Sequence, residues 1–252
     1  MLSDEALLRY SRQIMLPEVD IEGQEALAKS RVAIVGLGGL GSPVSMYLAA
    51  AGVGELVLVD FDQVDMSNLQ RQIVHNTESI GMDKVLSASK ALKQLNPAIQ
   101  IFTIKSQLSH TQVPDELLQA DVIVDATDNF TTRYVLNNFC VRNKKPLVSG
   151  AAIGLSGQVT VFDTRESSSP CYHCLYPEGH EEQPMTCSES GVLASVVGMI
   201  GTVQATEVIK LLVGFGITLV GRLLVLDAKH MEWRSLKLTK DTHCKVCAGE
   251  TS

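Results

Sequence analysis

The sequence predicts an α/β fold in which a doubly wound sheet follows N-terminal helices and precedes an antiparallel C-terminal extension. A β-branched apolar run, Val32–Val35, leads directly into the glycine-rich turn Gly36–Gly41, and a helical pattern follows. A second apolar run, Leu56–Val59, ends in Asp60. Parallel strands that are buried on both faces have such continuous apolar runs. Strand, glycine turn, helix and strand therefore predict the first half of a Rossmann-like sheet.

The remaining elements follow from hydrophobic periodicity and from turn residues. Besides the helix after the glycine turn, the predicted helices are Ser3–Ile14, Gly23–Lys29, Asp83–Leu95, Thr131–Asn143 and Val192–Leu212. The further predicted strands are Ile99–Ile104, Val122–Val124, Leu147–Gly150, Gly157–Phe162, Leu223–Leu226 and Glu232–Leu238. A short helix or turn is expected at Asp115–Leu118.

Two later segments have distinct patterns. Gly157–Phe162 alternates with a period of two, which predicts a strand exposed on one face. Ser167–Ser190 is rich in Ser, Pro, Glu, Cys and His, which predicts a long loop. Because no linker divides the chain, we expect one domain over residues 1–252, with a nucleotide-binding half at about 30–150 and a second half at about 151–252.

Charge and hydropathy exclude several classes of partner. The 252 residues carry a formal net charge of -7, so no overall basic field attracts a nucleic acid. The most hydrophobic stretch, Gly191–Val203, is too short to span a bilayer, and the N-terminus lacks the apolar core of a signal peptide. We expect a cytoplasmic protein that binds neither nucleic acid nor membrane.

The glycine turn predicts a nucleotide site. A helix that begins at such a turn offers unpaired N–H groups and the positive end of its dipole to a phosphate. Asp60 lies nineteen residues after Gly41 at the end of a strand, where a carboxylate accepts hydrogen bonds from ribose hydroxyls. A solvated loop aspartate is the alternative. Both features suit NAD and ATP equally.

Three charged residues distinguish ATP from a dinucleotide. Arg71 and Lys84 would place positive charge on phosphate oxygens, which phosphoryl chemistry needs and hydride transfer does not, and Asn68 and Gln72 could add neutral hydrogen bonds. Asp128, just after a strand, is well placed to hold Mg²⁺. The alternatives are an ordinary surface arginine and lysine, and an aspartate that caps the next helix.

Four of the six cysteines form two C-x-x-C pairs, Cys171/Cys174 and Cys244/Cys247. Four thiolates in two pairs favour a closed, structural zinc site, which would staple the loop to the C-terminus, over a catalytic dithiol. Cys187 precedes a predicted helix and is either an activated nucleophile or an idle loop cysteine. Cys140 lies on an apolar helix face and is expected in the core.

Taken in order, four motifs resemble the MoeB/ThiF family, bacterial relatives of the ubiquitin-activating enzymes. The motifs are Gly-Leu-Gly-Gly-Leu-Gly, Asp-x-Asp-x-Val-x-x-Ser-Asn-Leu-x-Arg-Gln, Thr-Asp-Asn-x-x-x-Arg and the two C-x-x-C pairs. The resemblance runs from Leu8 to Cys247, nearly the whole chain.

The resemblance implies that ATP adenylates the C-terminal Gly-Gly carboxylate of a ubiquitin-like sulfur-carrier protein and that pyrophosphate is released. Ser149–Ala152 and Asp60–Asp62 resemble the molybdopterin-synthase branch, whereas Trp233–Leu236 resembles the thiamine branch. A homodimer is implied. A separate sulfur donor, a desulfurase or a rhodanese, is expected, because no rhodanese domain follows the last cysteine pair in this sequence.

The resemblance also assigns residues. The glycine turn would hold the phosphates, Asp128 would hold Mg²⁺ with Asn129 beside it, and Arg12 would reach into the neighbouring subunit's site. Cys187 would act in sulfur transfer. The other residues implied in phosphate and nucleotide binding are Gly36, Gly38, Gly39, Gly41, Asp60, Asp62, Ser67, Asn68, Leu69, Gln70, Arg71 and Lys84.

Two other functions compete with this hypothesis. The glycine turn alone suits an NAD-dependent oxidoreductase. A zinc-stapled binding module without chemistry is the second alternative, although the polar cluster from Asp60 to Arg71 argues against it. The attacking carboxylate of a carrier is already deprotonated at neutral pH, so the absence of a histidine dyad from the motifs fits the adenylation chemistry.

Overall fold

The computed structural model describes residues 2–178 and 191–248, and these residues contain one eight-stranded sheet. The strand order is β3-β2-β1-β4-β5-β6-β7-β8. The strands are β1 Arg31–Val35, β2 Glu55–Val59, β3 Gln100–Ile104, β4 Val122–Asp125, β5 Leu147–Ile153, β6 Ser156–Phe162, β7 Arg222–Asp227 and β8 Glu232–Lys237. The strands from β3 to β5 are parallel, and those from β5 to β8 pair antiparallel. The predicted α/β fold with an antiparallel extension is confirmed.

Helices cover both faces of the sheet. They are α1 Asp4–Arg9, α2 Ser11–Ile14, α3 Asp20–Lys29, α4 Gly41–Ala51, α5 Lys84–Leu95, α6 Phe130–Arg142, α7 Tyr172–Leu175 and α8 Ala194–Val213. Short 3₁₀ turns lie at Met66–Asn68, Thr77–Ser79 and Asp115–Gln119. Along β1, Val32 and Ile34 belong to one apolar cluster, and Ala33 and Val35 belong to another. This division explains why a central parallel strand is apolar at each of these positions.

The chain reverses its strand order beside β1. From β1 it proceeds through α4 to β2 and β3 on one side, and then it returns to β4 on the other side. Ligands of open α/β sheets bind at such a switch point, outside the carboxyl ends of the strands. The glycine turn follows β1 there, and Ala126–Asn129 follows β4.

Two glycines allow these two turns to meet. Gly36 has φ +93°, and a Cβ added to it would lie 2.7 Å from the carbonyl oxygen of Ala126. A Cβ at Gly41 would lie 1.9 Å from the carbonyl oxygen of Gly36. Gly41 therefore allows the turn to fold closely on itself. Its role in nucleotide binding stays a prediction.

Three predicted elements differ from the structure. The helix predicted over Ser3–Ile14 is divided at Tyr10, whose buried hydroxyl accepts a hydrogen bond from Asn96 Nδ2 at 2.8 Å. The prediction that Gly157–Phe162 is exposed on one face is wrong. It is covered on one side by Ile200 of α8 and on the other by Tyr172. The predicted loop after Ser167 contains α7, and its residues 179–190 lie outside the described residues.

Within the described part of the chain, α8 is long and apolar enough to cross a membrane by length and composition. It packs on α4 and on β5 and β6, and it buries Gln204 and Glu207. The Nε2 of Gln204 donates to the carbonyl oxygens of Asp125 and Val148 at 2.8 and 3.2 Å. These contacts are those of a helix that packs one face against the protein core.

The glycine turn yields a stability prediction. Gly41→Ala should lower the free energy of unfolding by about 2–4 kcal/mol, because the new methyl group must displace the carbonyl of Gly36. Gly198→Ala is the matched control, since nothing lies within 4 Å of its added Cβ; its effect should stay within about 1 kcal/mol. Urea unfolding of both variants measures the difference, and equal stabilities would contradict the assignment.

Candidate active site

A cavity of about 710 Å³ lies at the carboxyl ends of β1, β2 and β4. Its volume is in the range of small-molecule sites. The residues of the predicted set that line it are Gly36, Gly38, Gly39, Asp60, Asp62, Arg71, Gln72, Lys84, Asp128 and Asn129. Residues separated by up to 93 positions in the sequence thus meet in one cleft.

Asp60 anchors the glycine turn through a hydrogen bond to its backbone. It is buried, and its Oδ2 accepts a hydrogen bond from the Leu37 N–H at 2.7 Å while its Oδ1 accepts one from the Asp62 N–H at 2.8 Å. Burial raises the pKa of Asp60, and the nearby ammonium of Lys84 opposes that change. Each carboxylate oxygen can accept a second hydrogen bond, so Asp60 can still bind a ribose hydroxyl.

Lys84 brings a buried positive charge to the cavity. Its side chain is 6% exposed at the start of α5, and its Nζ lies 2.9 Å from Asp62 Oδ2. A buried ammonium needs a counter-ion, and Asp62 supplies it. Asp62 is half-exposed, and both members of the pair line the cavity.

The segment 67–71 contributes one side chain to the cavity wall. Arg71 lines the cavity, and its Nη1 donates to the carbonyl oxygen of Ser67 at 3.1 Å. The 3₁₀ turn Met66–Asn68 is capped by Asp65, whose Oδ1 accepts from the Ser67 N–H. Four predicted nucleotide ligands lie outside the cavity lining, and their role stays a prediction. They are Ser67, Asn68, Leu69 and Gln70.

Asp128 is an exposed carboxylate on the cavity wall. The alternative that it caps α6 is wrong, because Asn129 is the cap: Asn129 Oδ1 accepts a hydrogen bond from the Thr132 N–H at 2.9 Å. The side-chain oxygen of Asn129 is thereby engaged by its own helix, while Asp128 faces the ligand space. An oxygen donor of this kind suits Mg²⁺.

Asp125 organises the loop that carries Asp128. It is fully buried, its Oδ1 accepts from the Thr127 N–H and hydroxyl at 3.0 and 2.7 Å, and its Oδ2 accepts from the Ser149 hydroxyl at 2.7 Å. Arg133 Nη2 donates to the carbonyl oxygens of Thr127 and Gly150 at 2.7 and 3.1 Å. The loop after β4 is therefore anchored to β5 and α6.

The far wall of the cavity consists of residues that the sequence did not single out. Gln158 on β6 donates from Nε2 to the Tyr176 hydroxyl at 2.6 Å. The rings of Tyr172 and Tyr176 lie 5.1 Å apart, and Phe130 stands 6.1 Å from Tyr176. No local pattern predicts this wall, because its residues come from β6, α6 and α7, which are brought together by tertiary contacts such as the hydrogen bond from the Tyr172 N–H to Asn137 Oδ1.

Arg12 and Cys187 are not part of the described cavity wall. Arg12 is exposed on α2, and its Nη1 donates to Met15 Sδ at 3.9 Å. It does not line the cavity of its own chain, which agrees with, but does not test, a role in a neighbouring subunit. Cys187 lies outside the described residues.

The four paired cysteines form one cluster. Their Sγ atoms lie within 4.8 Å of one another, and the separations of Cys171 from Cys174 and from Cys244 are 3.9 and 3.7 Å. Cys174 and Cys247 are 3.5 Å apart. Tetrahedral zinc with Zn–S bonds of about 2.3 Å requires separations of about 3.8 Å, so the four sulfurs fit this metal. A lone dithiol would not need the second pair.

The cysteine cluster is tied to α6 through Asn137. Asn137 on α6 directs its Nδ2 to Cys171 Sγ at 3.8 Å and accepts the Tyr172 N–H at 2.8 Å. A hydrogen bond from Cys171 lowers the pKa of Cys174 to about 4. Cys140 is buried elsewhere, and burial raises the pKa of its thiol, which confirms it as a core residue.

Comparison with known proteins agrees with this arrangement of motifs. Residues 10–246 match the ThiF family. This chain belongs to the ThiF family. It is 47% identical over 246 residues to the molybdopterin-synthase adenylyltransferase of Escherichia coli K12, with 98% of each chain covered. It is 44% identical over 251 residues to the sulfur carrier protein ThiS adenylyltransferase of the same organism, with 100% and 99% covered.

A longer relative and a solved structure complete the comparison. The adenylyltransferase and sulfurtransferase MOCS3 of Culex quinquefasciatus is 44% identical over 253 residues, and this ThiF-family chain spans 57% of its length. The crystal structure of E. coli MccB with ATP has a TM-score of 0.82 and 23% identity, covering 95% of this chain and 73% of that chain. This likeness establishes the fold.

The cysteine cluster yields a metal prediction. The purified protein should contain about one zinc ion per chain, and Cys171→Ser should lose it and lower the Tm by roughly 10 °C. Elemental analysis and thermal unfolding measure both effects. Cys140→Ala, at a buried cysteine outside the cluster, should keep the zinc. An unchanged zinc content in Cys171→Ser would refute the site.

Proposed function

We propose that this protein uses ATP to adenylate the C-terminal carboxylate of a ubiquitin-like sulfur-carrier protein. The observation that carries the proposal is the convergence of the glycine turn, Asp60, Arg71, Lys84 and Asp128 on one cavity. Relatives with 44–47% identity over nearly the full chain are named as adenylyltransferases, one for molybdopterin synthase and one for a sulfur carrier.

The charges around the cavity match this reaction. A carboxylate oxygen attacks the α-phosphorus of ATP, the new O–P bond forms, and the bond to the bridging oxygen breaks as pyrophosphate leaves. Both reactants are anions, so their repulsion must be reduced before they approach. Arg71 and Lys84 supply positive charge at the wall, and no residue has to remove a proton from the carboxylate. Asp128 would hold Mg²⁺, which would supply further charge neutralisation there.

The cavity also has room for the tail of a carrier. From the glycine turn it extends to the ends of β5 and β6, where small residues line it; they are Ala151, Ala152 and Gly157. An extended Gly-Gly terminus has no side chains to place, so it suits a channel between these residues and the Tyr176 wall. We propose that the carrier's last residues bind here.

Carriers of both branches present the same terminus, so the chemistry of the site does not distinguish them. We propose the molybdopterin-synthase type of carrier for molybdenum cofactor biosynthesis, with the thiamine-pathway carrier as the alternative. Identities of 47% and 44% to relatives of the two kinds do not separate them. Parallel measurements with both carriers do.

Four further points belong to the proposal. The protein acts as a homodimer in which Arg12 enters the neighbouring site. Cys187 acts after adenylation, when a separate desulfurase or rhodanese supplies sulfur. We also propose that it works in the cytoplasm, where reduced cysteine pairs bind a metal instead of forming disulfides.

The first test is carrier-dependent exchange of pyrophosphate into ATP. Wild-type protein should catalyse it, and Asp128→Ala should lower the rate about a thousandfold by removing the Mg²⁺ ligand. Asp115→Ala, at an aspartate that does not line the cavity, is the control and should retain the rate. Exchange that persists in Asp128→Ala would overturn the Mg²⁺ assignment. NAD(H) turnover without ATP binding would instead favour an oxidoreductase.

The second test concerns Arg12. Arg12→Ala and Asp128→Ala should each lack exchange activity, but mixing and reassembling the two variants should restore roughly a quarter of the wild-type rate. Half of the dimers are then mixed, and each mixed dimer has one site with both residues intact. If Arg12 acted within its own chain, no site would be intact and mixing would restore nothing.

A further inference from the structure

His75 is a buried histidine that joins the glycine turn to a neighbouring helix. Its side chain is 6% exposed, its Nε2 lies 3.0 Å from the carbonyl oxygen of Leu37, and its Nδ1 lies 2.9 Å from the Ser87 hydroxyl. Leu37 is the second residue of the glycine turn, and Ser87 is on α5. Neither the sequence motifs nor the cavity lining includes His75.

The three elements that His75 connects all carry phosphate-binding groups. The backbone of Leu37 is held at two points, since its N–H donates to Asp60 and its carbonyl oxygen faces His75. Ser87 lies one helical turn after Lys84. The backbone N–H of His75 donates to the carbonyl of Gln72 at 3.0 Å, one residue after Arg71. The imidazole therefore links the turn, the Arg71 segment and α5.

The protonation state of His75 is determined by these contacts. Because a carbonyl oxygen only accepts, Nε2 carries the proton, and Nδ1 accepts from the Ser87 hydroxyl. Burial lowers the pKa of His75 to about 4, and the positive charge of Lys84 acts in the same direction. A neutral ring with both nitrogens bonded leaves no buried polar atom of the side chain unsatisfied.

We propose that His75 is a positioning residue that holds the glycine turn, the Arg71 segment and Lys84 in the arrangement that binds the triphosphate of ATP. This role rests on the proposed function. His75 touches no ligand; it acts through the Leu37 carbonyl and Ser87. The Gly38 and Gly39 backbone, Arg71 and Lys84 must contact one triphosphate together, so a displacement of about 1 Å in any of them weakens all the contacts.

The test measures the Kd of Mg-ATP by calorimetry in four variants. His75→Phe fills the space but donates nothing, so the Kd should rise about tenfold to a hundredfold. His75→Gln restores a donor to the Leu37 carbonyl, so its Kd should return to within about threefold of wild type. Ser87→Ala, which keeps the Leu37 bond, should fall between these two.

Asn96→Leu is the matched control for a loss of stability. Asn96 is fully buried at the opposite end of α5, where its Nδ2 donates to Tyr10 Oη and to the Ala49 carbonyl. It should lower the Tm while leaving the Kd within about twofold of wild type. A wild-type Kd in His75→Phe would overturn the proposal. So would a Kd in His75→Gln as high as in His75→Phe, or a comparable rise in Asn96→Leu.

Nitrogen NMR provides a readout that is independent of activity. The histidine signals lost in His75→Gln should be those of a neutral Nε2–H ring from about pH 8 to about pH 5.5. An imidazolium at neutral pH would contradict the role. Wild-type protein that binds ATP without carrier-dependent exchange would contradict the proposed function alone, whereas protein that binds no ATP would overturn both.

Discussion

The close approach of two backbone turns, one after β1 and one after β4, is the constraint on which the rest of the site depends. The left-handed conformation of Gly36 brings it against the Ala126 carbonyl, and no side chain fits between them. Asp60 directly follows β2 and reaches the Leu37 N–H because β2 pairs with β1 in parallel register. The loop that carries Asp128 is fixed from the other side by Asp125 and Arg133. The cavity is the space that these anchored turns leave between them.

Two ion pairs balance charges at and beside the cavity. Lys84 faces Asp62, and Arg133 faces Asp125, each in a place where an unpaired charge would cost several kcal/mol. The two pairs differ in exposure. The Arg133–Asp125 pair is buried on both sides and is structural, whereas Asp62 is half-exposed. Asp62 also lines the cavity, so a ligand bound there would have access to the Lys84 pair, whereas Asp125 is fully buried.

The elements that the sequence predicts correctly are those whose pattern lies in a few consecutive residues. The strands β1, β2 and β4, the glycine turn and the cysteine pairs are each contained in a few consecutive residues, and the pairs form the expected cluster. Prediction from the sequence failed where tertiary contacts decide. The coverage of β6 depends on Ile200 and Tyr172, and the link from His75 to Leu37 spans 38 residues. No period or motif encodes these meetings.

The cysteine cluster adjoins the far wall of the cavity. Cys171 and Cys174 enclose Tyr172, and Tyr176 follows one turn later, so whatever fixes the thiols also fixes these rings. The Tyr176 ring packs against Phe130 on α6, directly after the Asn129 cap. A metal that joins these thiols to Cys244 and Cys247 would close a loop of about 70 residues and remove much of its conformational freedom. The zinc site would thus hold the wall where the carrier's tail is proposed to bind. It would do so at a distance from the glycine turn and without taking part in the chemistry.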